Sequence, residues 1–320
     1  MHRRRFLATS VLATLGSTVL HPLDLLAASC EVQGMPRLPR PLDAEPMRAN
    51  KLYLLGDWGA RSKLQRRVAA AMGGMAQESG SPLAIISTGD NIYPDGVESA
   101  RDTLWASTFE NVYTHPAIQV PWIAVLGNHD YRRNPQAQID YGKKNQRWIM
   151  PNRYFRHVVV GESGVEVEVI GIDTQQLLQR SDGWKQQMEW LSQSLQKKTT
   201  TWRAVVGHHP LRSYGHYGDT PWLVQHVLPL LRNGGVDFYA SGHDHDQQIV
   251  VVPGDGAVSL VTGAGGGCRS TRWGEHTVAA ATNGGFSVAD FNSDQLRLSL
   301  VSADGRIMGS HTIPARISER

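Results

Sequence analysis

The chain has 320 residues, of which 41% are hydrophobic and 19% are charged, a composition typical of a globular protein and not of a disordered or low-complexity one. Its 32 basic and 29 acidic residues give a formal net charge of only +3, so a nucleic-acid or membrane-surface partner is not indicated. Two cysteines, Cys30 and Cys268, are too few for a disulfide framework or a cysteine zinc site. Any metal ligands must therefore be nitrogen and oxygen atoms.

Residues 1–29 are predicted to be an export signal. Three arginines at positions 3–5 precede an apolar run that reaches position 20, and small residues at positions 27–29 offer a cleavage site. The Arg3-Arg4-x-Phe6-Leu7 pattern resembles a bacterial twin-arginine signal, with a general secretory signal as the alternative. Because the apolar run is short and broken, we expect no membrane span in the mature chain and a periplasmic or secreted location.

Cys30 follows the predicted cleavage region and has several interpretations. It is a weak candidate for lipidation, because an aliphatic residue is expected three positions before a lipidated cysteine. In an oxidising compartment it could instead pair with Cys268, or it could be removed with the signal. Prolines at positions 36, 39, 41 and 46 predict an extended linker over residues 30–50.

From residue 51 to residue 320 the sequence predicts one domain of the α/β class. Short apolar runs at 52–55, 83–86, 122–126, 165–172, 204–206 and 236–240 predict strands, and helices are predicted around 63–77, 100–113, 184–196 and 222–232. Beyond residue 249 the pattern changes to strands without helices, at 249–252, 259–261, 286–291, 296–301 and 307–313. A two-sheet β-sandwich flanked by helices would account for both halves.

Five predicted strands lead directly into loops in which a glycine precedes Asp, Asn or His. These loops are Gly56-Asp57, Gly89-Asp90-Asn91-Ile92-Tyr93, Gly127-Asn128-His129-Asp130, Gly207-His208-His209 and Gly242-His243-Asp244-His245. Open α/β sheets place ligand sites beyond the carboxyl ends of their strands, so these loops should converge. Glycine lets the backbone turn sharply and approach an ion or a phosphate closely.

The donors in these loops predict a pair of metal ions. They are the carboxylates of Asp57 and Asp90, the amide oxygen of Asn128, the phenol of Tyr93 and the imidazoles of His208, His243 and His245. Seven ligands are too many for one zinc ion, whereas two ions roughly 3.5–4 Å apart and bridged by a carboxylate, here Asp90, would use them all. A single Gly-Asp pair is usually an ordinary turn, and only the five loops together favour a metal site. The histidines at positions 115, 157, 226, 276 and 311 are interpreted as structural or surface groups.

In these five blocks, and over about residues 51–314, the sequence resembles the calcineurin-like metallophosphoesterases and, within them, the small, tartrate-resistant purple acid phosphatases. The resemblance implies a four-layer α/β/β/α fold and a binuclear centre. Asp57, Tyr93 and His245 would hold Fe(III), Asp90 would bridge, and Asn128, His208 and His243 would hold a second divalent ion (Fe, Zn or Mn). If Tyr93 is instead a packed aromatic residue, a colourless pair of other ions is the alternative.

The resemblance further implies two histidines near the phosphate, His129 and His216, as substrate contacts or proton donors. The loop of His216, residues 210–220, is one residue shorter than in the animal enzymes. Asp130 either orients His129 or forms a turn, and the role of His209 is open.

The expected reaction is hydrolysis of a small-molecule phosphate monoester by a metal-bound hydroxide, with an acidic optimum, in a protein that we expect to be a monomer. The alternatives are a phosphodiesterase or nucleotide hydrolase on the same fold and a non-catalytic metal- or phosphate-binding protein of the envelope.

Overall fold

The computed structural model describes residues 30–36 and 50–316. The predicted export signal and most of the predicted linker lie outside the described residues. Strands and α-helices occur in this order: β1 (Val32–Gln33), β2 (Asn50–Leu55), α1 (Lys63–Ser79), β3 (Ala84–Ser87), β4 (Trp122–Ala124), α2 (Gln136–Gly142), β5 (Trp148–Ile149), β6 (Phe155–Val160), β7 (Glu166–Gly171), α3 (Thr174–Gln179), α4 (Trp184–Leu195), β8 (Trp202–Val206), α5 (Pro221–His226), α6 (Leu228–Asn233), β9 (Phe238–Ser241), β10 (Gln247–Val250), β11 (Val258–Thr262), β12 (Thr271–Arg272), β13 (Thr277–Ala281), β14 (Gly285–Phe291), β15 (Gln295–Ser302) and β16 (Ile307–Pro314).

In the described part of the chain, two mixed sheets of seven strands each form the centre of the molecule. The first sheet has the order β16-β15-β14-β2-β3-β4-β5, and the second has the order β13-β10-β11-β9-β8-β7-β6. Strands β2 to β5 are parallel to one another in the first sheet, and β7, β8, β9 and β11 are parallel in the second. The carboxyl ends of the parallel strands therefore collect at one edge of each sheet.

Alternating side chains explain why the two sheets pack face to face. In β2, Leu52 and Leu54 belong to a core shared by both sheets, whereas Tyr53 and Leu55 belong to a second core beneath α1. A third core lies between the second sheet and helices α3 to α6. The order of layers is helix, sheet, sheet, helix, which confirms the predicted α/β sandwich. Because both faces of the parallel strands are covered, these strands have nearly continuous apolar sequences.

Two predicted helices differ from the structure. The segment 100–113 contains only a short helical stretch, most of which is π-helical (Ala106–Glu110), and the predicted helix over 222–232 is divided into α5 and α6, which meet at Val227. The predicted helix over 222–232 is interrupted at Val227 because Pro229 has no N–H to donate to the carbonyl group four residues earlier. Strands β1, β5, β6, β12 and β13 and helices α2 and α3 were not predicted from the sequence.

A disulfide bond joins Cys30 to Cys268, whose Cα atoms are 6.3 Å apart. Next to it, β1 pairs in parallel with β12, so that Val32 lies opposite Thr271. The disulfide uses the sulfur atom that lipidation of Cys30 would need, so the lipidation alternative is wrong for this structure and the pairing alternative holds. Among the described residues, no helix combines the length and apolar character that a membrane crossing requires.

Candidate metal centre and active site

All seven predicted metal ligands lie together at the carboxyl ends of the parallel strands. Asp57 follows β2, Asp90 and Tyr93 follow β3, and Asn128 lies in the loop after β4. The three histidines come from the second sheet, with His208 after β8 and His243 and His245 after β9. The site is therefore built from both sheets at the edge where they meet.

One group of donors surrounds the hydroxyl group of Tyr93. Its Oη atom lies 2.9 Å from Asp57 Oδ1, 2.8 Å from Asp90 Oδ2 and 3.2 Å from His245 Nε2. His245 Nε2 is in turn 3.3 Å from Asp57 Oδ1. All four side chains are buried, and Tyr93, the most accessible, is only 6% exposed.

A second group of donors lies on the other side of Asp90. His208 Nε2 is 3.0 Å from Asn128 Oδ1 and 3.5 Å from Asp90 Oδ1. The ring of His243 lies 5.0 Å from the ring of His208, centroid to centroid. Asp90 thus turns one carboxylate oxygen toward each group, which is the arrangement that a bridging ligand requires.

The separations between these donors fit metal coordination. Two ligand atoms bound at right angles to one cation, with bonds of about 2.1 Å, are roughly 3 Å apart. Donor atoms of Asp57, Asp90 and His208 also lie within 4.8 Å of one another, although they belong to different groups. Carboxylate, phenol, amide and imidazole donors suit iron, zinc and manganese. The residues present therefore fit a pair of metal ions.

Three of these residues have backbone conformations that side chains rarely adopt. The φ angles of Asp57, Asp90 and His243 are 56°, 50° and 68°. Such left-handed conformations persist only where the surrounding structure enforces them, and they are concentrated at functional sites. Neighbouring loops approach the two carboxylates closely. A Cβ atom on Gly127, in the loop after β4, would collide with the Asp90 carboxylate, and one on Gly242, in the loop after β9, would collide with the Asp57 carboxylate.

The electrostatics of the site are dominated by burial and by the two carboxylates. Burial, together with Asp57 and Asp90, raises the pKa of the Tyr93 phenol well above its usual value. Burial also disfavours ionised Asp57, but the hydrogen bond from His245 and the charge of His208 hold the Asp57 pKa below its usual value. A cation among these donors would favour the phenolate form of Tyr93, since positive charge reverses the local preference.

His129 lies at the edge of this cluster, with 22% of its side chain exposed. Its ring is 4.4 Å from the Tyr93 ring, and its Nε2 atom is 3.9 Å from Asp90 Oδ2. The ring is oriented by a contact of 2.5 Å between Nδ1 and the carbonyl oxygen of Pro94. Of the two alternatives for Asp130, the structure favours the turn over a contact with His129. Asp130 instead accepts hydrogen bonds from backbone N–H groups of the loops after β3 and β4.

The structure places His216 outside the donor cluster. His216 is exposed, and its ring contacts the ring of Tyr217 at 4.8 Å. Tyr217, rather than His216, stacks on His243, with 4.1 Å between ring centroids and 20° between ring planes. His209 packs against the other residues of the cluster, with its ring 4.5 Å from that of His243 and its Nδ1 atom 2.8 Å from Thr174 Oγ1.

Two residues near the site were missed in the sequence, Tyr217 and Arg269. The guanidinium carbon of Arg269 lies 5.3 Å from the centre of the Tyr217 ring, and the Arg269 N–H donates to the carbonyl of His245 over 2.8 Å. Neither residue directly follows the glycine at the end of a strand, so the pattern that located the donors did not single them out.

Comparison with known proteins agrees with this geometry. A family model described as "Calcineurin-like phosphoesterase" matches residues 51–247, and the chain belongs to that family. Purple acid phosphatase 7 of Arabidopsis thaliana is 30% identical over 270 residues, covering 80% of this chain and 81% of the relative. Tartrate-resistant acid phosphatase type 5 of Rattus norvegicus is 29% identical over 303 residues, covering 85% of this chain and 92% of the relative.

Solved structures show the same fold. GAP50, the anchor in the inner membrane complex of Plasmodium, superposes with a TM-score of 0.76 at 25% identity, covering 85% of this chain and 90% of that one. Purple acid phosphatase PPD1 from yellow lupin superposes with a TM-score of 0.63 at 14% identity, covering 83% of this chain and 54% of that one. Within its family the chain is a homologue of the purple acid phosphatases, which confirms the resemblance, and it is a metal-dependent hydrolase of the acid phosphatase class.

Proposed function

We propose that the chain is an exported acid phosphatase that hydrolyses small phosphate monoesters with Fe(III) and a second, divalent ion. The observation that carries this proposal is the position of Tyr93, whose hydroxyl oxygen lies within 3.2 Å of donors from Asp57, Asp90 and His245. A phenolate is a hard, anionic donor that suits Fe(III), so this position supports a ferric ion over a pair of divalent ions.

The two groups of donors divide around Asp90 in a way that supports the proposed ligand sets. We assign Asp57, Tyr93 and His245 to Fe(III), Asn128, His208 and His243 to the divalent ion (Fe, Zn or Mn), and Asp90 to both. When bound, such ions neutralise the charge of the phosphate and activate a water molecule for attack.

His129 is the residue that we assign to the leaving group. Its Nδ1–H donates to the carbonyl of Pro94, which fixes the ring, and its Nε2 atom accepts from Arg132 Nη2 over 3.3 Å, a contact that a second proton on Nε2 would replace. With 22% of its side chain exposed, His129 is more accessible than the buried donors, and its Nε2 lies 3.9 Å from Asp90 Oδ2, so it can meet an ester oxygen beside them. Protonated His129 would donate this proton to the leaving oxygen, and an acidic optimum follows because the imidazolium form is required. His216 remains a second proposal, as an exposed proton donor or substrate contact.

Export is part of the proposal because of the sequence of residues 1–29 and the disulfide between Cys30 and Cys268. Disulfides persist in oxidising compartments such as the bacterial periplasm. A twin-arginine route would carry the chain already folded.

Two other functions remain as alternatives. The same fold could act on phosphodiesters or nucleotides. The second alternative is a non-catalytic role, because GAP50, a protein with the same fold, is described as an anchor. The complete set of seven donors in this chain supports turnover over a purely structural role.

The first experiment combines a visible absorption spectrum with metal analysis of the purified protein and its Tyr93→Phe variant. We expect a broad visible band, with iron and a second metal near one each per chain, and loss of the band in the variant. A colourless wild-type protein with two divalent ions would refute the ferric assignment.

Substrate class is tested with 4-nitrophenyl phosphate and bis(4-nitrophenyl) phosphate, which release the same leaving group. We expect faster hydrolysis of the monoester, and a preference for the diester would refute the monoesterase assignment. His129→Ala should lower kcat by about 100-fold while both metals remain bound. Asn128→Ala should abolish turnover, whereas a binding protein would have none to lose.

A further inference from the structure

Arg269 presents a cationic side chain that has no ionic partner beside the donor cluster. Its Nη1 atom is buried and has no hydrogen-bond partner among the described residues, and no carboxylate of residues 30–36 or 50–316 forms a salt bridge with it. Asp244 is close enough for the two charges to interact. The oxygens of Asp244, however, accept hydrogen bonds from the Ser213 hydroxyl and the Tyr217 N–H. A partly buried guanidinium without a partner is costly, so its position requires another explanation.

The backbone and the ring of a neighbour hold Arg269 in place. Its N–H donates to the carbonyl of His245, and the preceding residue, Cys268, is bound to Cys30. Its guanidinium lies over the Tyr217 ring, which itself stacks on His243. A cation over an aromatic face is stabilised by the charge distribution of the ring. The guanidinium is therefore fixed one aromatic ring away from a proposed metal ligand.

The burial pattern indicates which part of a substrate would reach Arg269. The donors around Tyr93 are at most 6% exposed, whereas Tyr217 is 50% exposed. A phosphate group among the donors must extend its organic part toward an exposed side, and the cluster is open both at His129 and at Tyr217. Arg269 lies over the Tyr217 ring on the His243 side, so a substrate that extends along that side reaches it.

We propose that Arg269, held by Tyr217, binds a second anionic group carried by the organic part of the phosphate ester. This inference rests on the proposed phosphatase function and adds a preference to it, for esters with a carboxylate or another anion near the phosphate. The planar guanidinium offers paired N–H donors that match a carboxylate or phosphate in two parallel hydrogen bonds. Arg269 would thereby contribute to substrate choice without taking part in the bond cleavage.

Binding of two phosphonates that cannot be hydrolysed tests this inference separately from turnover. Phenylphosphonate and 4-(carboxymethyl)phenylphosphonate differ by one carboxylate, and calorimetry with the metal-loaded full chain gives both dissociation constants. We expect the wild-type protein to bind the carboxylated compound about tenfold more tightly, which is the scale of one charge-assisted hydrogen-bonded pair. In Arg269→Gln this preference should disappear while the affinity for phenylphosphonate stays within about twofold.

Arg272→Gln is the matched control, because it removes one positive charge from an exposed position of the same segment. It should keep the tenfold preference, and Arg269→Lys should retain part of it. Equal affinities of the wild-type protein for the two compounds, or a preference that survives in Arg269→Gln, would overturn the role of Arg269 and leave the proposed phosphatase intact. Selective binding without turnover of any ester would overturn the phosphatase and leave the anion subsite, and failure to bind either compound would overturn both.

Discussion

Asp130 is a buried carboxylate that connects two loops of the site, and its removal gives a sharp test of how the site is held. It is 0% exposed and accepts hydrogen bonds from the backbone N–H groups of Asn91 at 3.1 Å, Ile92 at 3.3 Å and Gly127 at 2.9 Å. The side chain of Gln138 donates to it at 2.7 Å. One carboxylate thus fixes the loop that carries Asp90 and Tyr93 to the loop that carries Asn128.

In an Asp130→Ala variant, three buried backbone N–H groups and the side-chain amides of Gln138 and Asn91 lose this acceptor. Each buried donor without a partner costs about 1–3 kcal/mol, and the burial penalty of the carboxylate itself is recovered, so we expect a loss of about 3–5 kcal/mol in the free energy of unfolding. Asp130→Asn keeps the shape and one acceptor oxygen, and should lose about half as much. Because the two loops supply donors to both proposed ions, metal content should fall together with stability.

Urea unfolding at constant pH, with metal analysis of the folded protein, measures both effects. Asp140→Ala is the matched control, since Asp140 accepts from the exposed side chains of Lys143 and Gln136 and surface pairs contribute little. If Asp130→Ala unfolds at the same urea concentration as Asp140→Ala and retains both metals, the loops are not held by this carboxylate and the reasoning fails.

Other predictions concern a glycine and a buried ion pair. Gly127→Ala places a methyl group against the Asp90 carboxylate and should abolish metal binding, whereas Gly74→Ala, with open space in helix α1, should stabilise the protein by about 0.5–1 kcal/mol. Metal analysis tests the Gly127 variant and thermal unfolding tests the Gly74 variant. A Gly127→Ala protein that still binds both metals would contradict the close approach of Gly127 to the Asp90 carboxylate. Arg203→Met leaves buried Glu168 without its fully buried partner and should cost about 3–5 kcal/mol in urea unfolding. The kcat of the folded variant should be unchanged because Arg203 lies at the end of β8 opposite the donor loops, and a large loss of kcat would show coupling along the strand.

The convergence of the donor loops could be predicted from the sequence because strand ends and glycines are local signals. A buried strand followed by glycine and a polar residue is visible within a few positions, as at Gly89-Asp90 and Gly207-His208. The topology of parallel strands then brings such loops to one edge without further information. The prediction therefore depended only on local patterns and on one general rule of α/β sheets.

The surroundings of the donors could not be predicted in the same way. Arg269 reaches the site because Cys268 pairs with a cysteine 238 positions earlier and because its N–H finds the carbonyl of His245. Tyr217 reaches His243 because Asp244 accepts its backbone N–H. Such contacts join residues that are distant in sequence, and no periodicity records them. The sequence left the role of Asp130 open for the same reason, since its bonds to the N–H groups of Asn91 and Ile92 join residues that are distant in sequence.

The strain in the donor loops shows why the site must be treated as one unit. Left-handed conformations at Asp57, Asp90 and His243 cost about 1–3 kcal/mol each, which together is a large part of the 5–15 kcal/mol that stabilises an ordinary domain. Each strained loop is held by its neighbours, not by itself. Asp57 Oδ2 accepts from the N–H of His243 at 2.8 Å, and Asp90 Oδ1 accepts from the N–H of His129 at 2.8 Å.

These hydrogen bonds cross between loops, and the first of them also crosses between the two sheets. A change that releases one loop therefore removes the restraint on the next, so the donors assigned to the two ions cannot be lost independently. Loss of both metals from variants in either sheet, without selective loss of one, is the behaviour that this arrangement requires.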